Sequence, residues 1–179
     1  MATLYSNADA SEDTGLVLIE SQVLGVAAAS VTFSAIPQTY KHLKIFVSAR
    51  SAAAAAYDSG YARFNGDAGA NYLYGAHQGG SAHTVSISSG QTQAGIFAAT
   101  GNGSTADLFG GSEITLFDYT GANKKTVMAL KWESHTTSEA YLYETLVAWA
   151  DTDAITSILM WANGGNLMAG SRFDLYGIK

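Results

Sequence analysis

Apolar and polar residues alternate with a period of two through most of this chain, the spacing that turns one face of a β-strand toward a core and the other toward solvent. The clearest case is His42–Arg50, where Leu43, Ile45, Val47 and Ala49 share one face while Lys44, Phe46 and Ser48 share the other. The same reading predicts strands at Leu16–Gln22, Ala29–Ile36, Tyr61–Asn65, Asn71–His77, Gln93–Thr100, Glu113–Tyr119, Lys125–His135 and Glu139–Trp149. Two further apolar runs, Ile155–Trp161 and Ser171–Ile178, flank Asn163-Gly164-Gly165, residues that reach positive φ at least cost. They predict a C-terminal hairpin whose last strand seats Phe173, Leu175 and Ile178 inside a sheet.

Turns punctuate these runs. Pro37, the only proline, closes the second strand, and Asn65-Gly66-Asp67 separates two later ones. Helical periodicity of useful length is absent. The run Ala52–Ala56 is too short to nucleate a helix and reads as a loop or a single turn packed through its small side chains, and Gly79–Gly90 reads as a Ser/Gly-rich loop.

One hairpin is specific enough to predict a register. With Thr136-Thr137 as a two-residue turn, Trp132 faces Tyr141, Leu130 faces Tyr143 and Met128 faces Thr145 in the core, while Lys131 and Glu144 lie diagonally on the other face. About ten short strands separated by Gly/Asn turns, without helices, predict an all-β fold. The expected form is one antiparallel sandwich of jelly-roll type over residues 16–179, with a barrel as the alternative, preceded by an acidic arm at residues 1–15.

Composition sharpens the picture. Charged residues make up 13% of the chain, about half the usual ~25%. That suits either a plain uncharged β-surface or one covered by copies and partners, since interface cores are depleted in charge. The net charge is −6, and no Lys or Arg precedes Lys41, whereas Asp9, Glu12, Asp13 and Glu20 all fall in that span. The nine basic residues do not cluster beyond Lys124-Lys125, which argues against nucleic acid as a partner. An ordered acidic arm needs a surface to lie on, so Leu4, Tyr5, Asp9, Glu12 and Asp13, with Ala54 in the alanine loop, are the candidate partner-binding residues for a neighbouring copy or another protein. The absence of cysteine excludes disulfides, thiolate metal sites and cysteine nucleophiles. The first residues have neither a basic nor an apolar signal region, and no apolar run approaches a membrane span, so the expectation is a soluble protein made in the cytoplasm, without a membrane partner.

Four patterns invite a chemical reading, and three have a stronger plain one. Gly101-Asn102-Gly103-Ser104-Thr105-Ala106 fits a loose dinucleotide fingerprint, but Gly110-Gly111 would break the helix that fingerprint requires, so no cofactor is expected. His77 and His83 with Asp67 match no ligand spacing, so no metal is expected. Among Glu113, Asp118, Glu133, Glu139 and Glu144, the predicted register puts Glu133 and Glu144 on one face but well apart, with Lys131 beside Glu144; this reads as an ion pair rather than a glycosidase pair, and no catalytic residue is assigned. The tyrosines are the fourth: Tyr57, Tyr61, Tyr72 and Tyr74 fall around loops where a sugar ring could stack, although tyrosines also anchor sandwich edges and interfaces.

Three blocks, HLKIFVSARS at 42–51, RFNGDAGANY at 63–72 and GSRFDLYGIK at 170–179, resemble a group of small structural proteins of tailed-bacteriophage virions. The resemblance touches the chain from about Leu16 onward and is strong only in those blocks. It implies a non-enzymatic jelly-roll subunit of the particle, expected as an oligomeric capsid decoration or cement protein, with a trimer as the expected oligomer, bound to the major capsid or another virion protein. The alternative is a virion-displayed adhesin of the head fibre or tail that binds a host surface glycan. It carries over no catalytic residue. The loops at Ala52–Ala56 and Gly79–Gly90 depart from the group.

Overall fold

The computed structural model describes residues 15–79, 84–136 and 139–179. Among these residues there are twelve strands and no helix. They are β1 (Leu16–Val23), β2 (Val31–Phe33), β3 (His42–Ala49), β4 (Tyr57–Phe64), β5 (Tyr72–Gly79), β6 (Thr84–Gln91), β7 (Ala94–Thr100), β8 (Gly110–Phe117), β9 (Lys125–Thr136), β10 (Glu139–Trp149), β11 (Ile158–Ala162) and β12 (Arg172–Ile178). An eight-stranded sheet runs β1-β12-β3-β8-β9-β10-β5-β6, and a four-stranded sheet runs β2-β11-β4-β7. All strand pairs are antiparallel, so the expected sandwich without helices holds.

The core lies between the sheets. The large sheet contributes Leu43, Ile45, Val47, Ile114, Leu116, Val127, Phe173 and Leu175, and the small sheet Phe33, Phe64, Phe97, Ile158 and Met160. The alternation read in β3 is therefore the packing alternation. Strand β7 is buried at every residue although it ends its sheet. Its free edge folds onto the other sheet, where Ser112 Oγ accepts the Ala98 N–H at 3.0 Å. A side chain thus replaces the missing neighbour strand and keeps that edge from pairing with another chain.

The expected C-terminal hairpin does not form. Strand β11 pairs with β2 and β4, whereas β12 pairs with β1 and β3. The connection crosses between sheets and is pinned by the fully buried Leu167, which bridges Ala28 and Ser51. Gly164 and Gly165 serve this crossing by closeness, because a Cβ on either would meet Ala53 at 3.0 Å or less. Asn65 (φ 53°) and Gly66 (φ 70°) do form the expected turn, but as a corner between sheets, since β4 and β5 belong to different ones. The stretch read as a Ser/Gly loop contains β6, held by backbone pairing with β5 instead of by burial.

The β9–β10 register also differs from expectation. Leu142 faces Trp132, Glu144 faces Leu130 and Leu146 faces Met128, one residue away from the predicted pairing. Thr136 pairs with Glu139, and a bulge between Glu139 and Ala140 then moves the register by one. Because side chains alternate, that single step exchanges the faces of β10 relative to β9. Trp132 is 45% exposed on the outer face and does not meet Tyr141 in the core.

Candidate binding cleft and assembly face

The register just described creates two surfaces on opposite sides of β9 and β10. On the inner side, Lys131 and Glu133 of β9 and Tyr141, Tyr143 and Thr145 of β10 point between the sheets. Near this end the sheets part and leave a cleft. Its first lobe, about 300 Å³, is walled by Tyr57, Ser59 and Phe97 of the small sheet and by Gln78, Lys131 and Tyr141 of the large one. A second lobe of about 180 Å³ adjoins it through the shared Ser59, Gln78, Lys131 and Tyr143, and reaches Tyr61, Tyr74 and Thr145.

Lys131, Glu133 and Asp58 are the charged residues that line the cleft. Tyr143 donates its hydroxyl hydrogen to Glu133 Oε1 at 3.0 Å, and Lys131 Nζ lies 5.4 Å from the centre of the Tyr143 ring and 3.4 Å from Gly95 O. Burial pushes the Lys131 ammonium down to about 8, against the opposing pull of Glu133. Burial, then the charge of Glu133 and its hydrogen bond, push the Tyr143 phenol up. Tyr61 is likewise raised, first by burial and then by Tyr74 and Asp58. These phenols therefore remain hydrogen-bond donors at neutral pH. Thr145 Oγ1 is buried and has no hydrogen-bond partner.

Of the four tyrosines singled out from sequence, Tyr57, Tyr61 and Tyr74 line this cleft. Tyr72 does not. It is 1% exposed, stacks with Trp149 at 6.4 Å between centroids, accepts the Phe64 N–H and donates to Asp67 O, so it is a core residue unavailable to a ligand. Lys131 and Glu133 are weighed from sequence only as an ion-pair or acid-pair pattern with Glu144, while Tyr141, Tyr143 and Thr145 are not expected in a cleft because the slipped register turns the β10 side chains toward the wrong β9 partners; Gln78 of β5 carries no sequence signal.

The other candidates separate. Glu133 faces the cleft while Glu144 sits on the outer face opposite Leu130, so the two are neither on one face nor arranged as an acid pair, and Lys131 lies with Glu133 and not with Glu144. Glu113 forms an ion pair with Lys44, and Asp118 donates its backbone N–H to His42 Nδ1. Asp67 accepts from the Trp149 indole, whereas His77 stands near the far end of β5; among the described residues no group of three or more His, Asp or Glu is placed to hold a metal ion. The Gly101–Gly103 loop is built to touch the alanine loop. Gly101, Asn102 and Gly103 N–H groups donate to Ala56, Ala53 and Ala55 carbonyls, and a Cβ on Gly101 or Gly103 would strike Ala55 O or Ala54 O. Ala54 itself is exposed. Leu4, Tyr5, Asp9, Glu12, Asp13, His83 and Thr137 lie outside the described residues.

On the outer side of the same strands the residues are mostly apolar. Reading across the sheet in register gives Lys44, Thr115, Met128, Leu146, Gly75 and Ile87 in one row, and Phe46, Glu113, Leu130, Glu144, His77 and Val85 in the next. A third row sets Trp132 between Gly111 and Leu142, the indole lying flat where a Cβ on Gly111 would stand. Leu146 is 60% exposed, Val85 77% and Ile87 75%. Together with Leu73, Met128, Leu130, Trp132 and Leu142 they present on the order of 800 Å², above the ~300–600 Å² of the largest apolar patch on a typical monomer.

No protein-family model matches this chain, and no curated protein matches it either. The two surfaces therefore stand on their own chemistry.

Proposed function

We propose that this chain is a non-enzymatic structural subunit of a tailed-phage virion, a capsid decoration or cement protein acting as a homo-oligomer, with a trimer as the specific form. The observation that carries the reading is the apolar outer face of β9, β10, β5 and β6. Its area, about 800 Å² on one partner, equals what a standard protein–protein interface buries per side. Charge is sparse at its centre, where Glu144 and His77 interrupt the apolar rows, and the Lys44–Glu113 ion pair lies at its margin on β3 and β8. The resemblance of the 42–51, 63–72 and 170–179 blocks supplies the virion context and the jelly-roll form, and the acidic arm with Leu4 and Tyr5 is proposed as a second tether, to the major capsid protein. The cleft favours a second reading, an adhesin displayed on the head fibre or tail.

Size-exclusion chromatography with light scattering tests the first reading. The wild type is expected to associate at micromolar concentration, and Leu146→Glu to be monomeric with an unchanged circular dichroism spectrum and reduced occupancy on stripped particles. A monomeric wild type, or a Leu146→Glu variant that decorates particles as fully as the wild type, would overturn it.

A further inference from the structure

We infer that the cleft between β4–β7 and β9–β10–β5 is a binding site for a short neutral saccharide. The inference depends neither on where the chain is displayed nor on whether copies associate.

The cleft offers the two things a sugar ring needs. Its apolar C–H face requires a flat aromatic partner, and Tyr57, Tyr61, Tyr74 and Tyr141 supply rings from three strands. Tyr57 is 55% exposed at the mouth. The hydroxyls of a sugar need donors and acceptors set at short intervals, and Ser59, Gln78 and Ser86 provide them along the walls. At the inner lobe Thr145 Oγ1 has no hydrogen-bond partner although it is buried. Buried hydroxyls are paired in the large majority of cases, so an unpaired one in a ligand-sized cleft marks a bond left for a guest.

Charge selects among polar ligands. Three charged residues line the cleft: Lys131 and Glu133, two residues apart on one strand face, offset each other, and Asp58, whose carboxylate accepts the Gly164 N–H, adds a second negative group at the wall. An anion would meet Glu133 and Asp58 as well as Lys131, so phosphates and carboxylates gain nothing over an uncharged ring. The first lobe, about 300 Å³, lies at the lower limit of ligand sites (~300–1,000 Å³), and the second adds a smaller chamber, so one ring per lobe sets the size at one or two sugar units.

Saturation-transfer NMR on the full chain, with glucose, galactose, mannose, N-acetylglucosamine and their disaccharides at about 10 mM, tests the assignment. At least one neutral sugar is expected to bind, about tenfold more weakly to Tyr57→Ala and to Thr145→Val. Thr145→Val preserves shape and removes the unpaired hydroxyl, so it is also expected to unfold at equal or higher urea concentration than the wild type, which separates lost binding from lost folding. The inference is overturned if none of the sugars binds, if binding survives both variants unchanged, or if glucose 6-phosphate and galacturonate bind better than their neutral parents.

Discussion

Replacing Trp149 by Phe probes the joint that ties the two sheets together. Trp149 is fully buried, meets Phe64 edge-on at 5.6 Å and stacks on Tyr72, while its indole Nε1–H donates to Asp67 Oδ2 at 2.7 Å. Asp67 also accepts from Asn71 Nδ2 and the Gly69 N–H, so one carboxylate organises the whole corner between β4 and β5. The Phe variant loses a hydrogen bond to a charged acceptor, worth about 1.5–3 kcal/mol. It also leaves on the order of 40 Å³ unfilled, which at ~24 cal/mol per Å³ adds about 1 kcal/mol. The expected loss is therefore about 3 kcal/mol at pH 7, read from urea unfolding followed by far-ultraviolet circular dichroism. The pH dependence is a second readout. Burial raises the Asp67 carboxyl, but the bonds from Trp149, Asn71 and Gly69 outweigh it and hold the folded value below the usual one. A lowered folded value means that the unfolded state binds more protons, so this stabilisation is present above about pH 4 and disappears as pH falls through the folded value. The gap between wild type and variant should narrow in acid. A gap under about 1 kcal/mol at pH 7, or one unchanged down to pH 2.5, would refute the reasoning.

Three further outcomes are expected. A Cβ at Gly60 would stand 2.3 Å from the Phe97 ring, itself held edge-on against Phe173, so Gly60→Ala should cost about 3 kcal/mol; a drop in urea stability under ~0.5 kcal/mol would show that Phe97 has somewhere else to go. Arg50, 5% exposed, donates through Nη1 to Ser104 Oγ, Thr105 O and Leu108 O, so Arg50→Met should cost about 3 kcal/mol and open residues 104–108 to limited proteolysis, and an uncut loop would count against that role. Because burial lowers the folded Lys131 value to about 8, the unfolded chain binds more protons between there and ~10.4, and stability should rise with pH from about 8 to about 9.5, before the tyrosines titrate; Lys131→Met should flatten that rise, and an identical slope in the variant would contradict it.

The strands were largely legible in the sequence, and their partners were not. Period-two patterning marks which residues of β3 share a face, and Leu43, Ile45 and Val47 do enter the core. It says nothing about which strand lies alongside, so β11 and β12 read as a hairpin although they belong to different sheets. In β9 both faces carry apolar residues, Val127 and Ala129 on one and Met128, Leu130 and Trp132 on the other, so composition did not choose the inner face. The bulge at Glu139 and Ala140 then decided the pairing by one residue. Strand β6 escaped because backbone pairing, which leaves no trace in hydropathy, holds it in place. The tyrosines show the same limit. Tyr72 and Tyr74 have the same parity on β5, yet Phe64 and Trp149 cover the first while the second reaches the cleft, a difference of position along the strand that parity does not encode.

Strand β10 has a consequence for how this chain can vary through inheritance. Tyr141, Tyr143 and Thr145 alternate with Leu142, Glu144 and Leu146, so adjacent codons specify opposite surfaces. Point substitutions can retune either surface without touching the other. Inserting or deleting one residue in the strand would exchange them at a stroke, putting leucines into the cleft and phenols onto the outer face. Lineages descended from such a gene should therefore differ freely in the letters of β10 and hold its length constant, with length variation confined to the connections between strands.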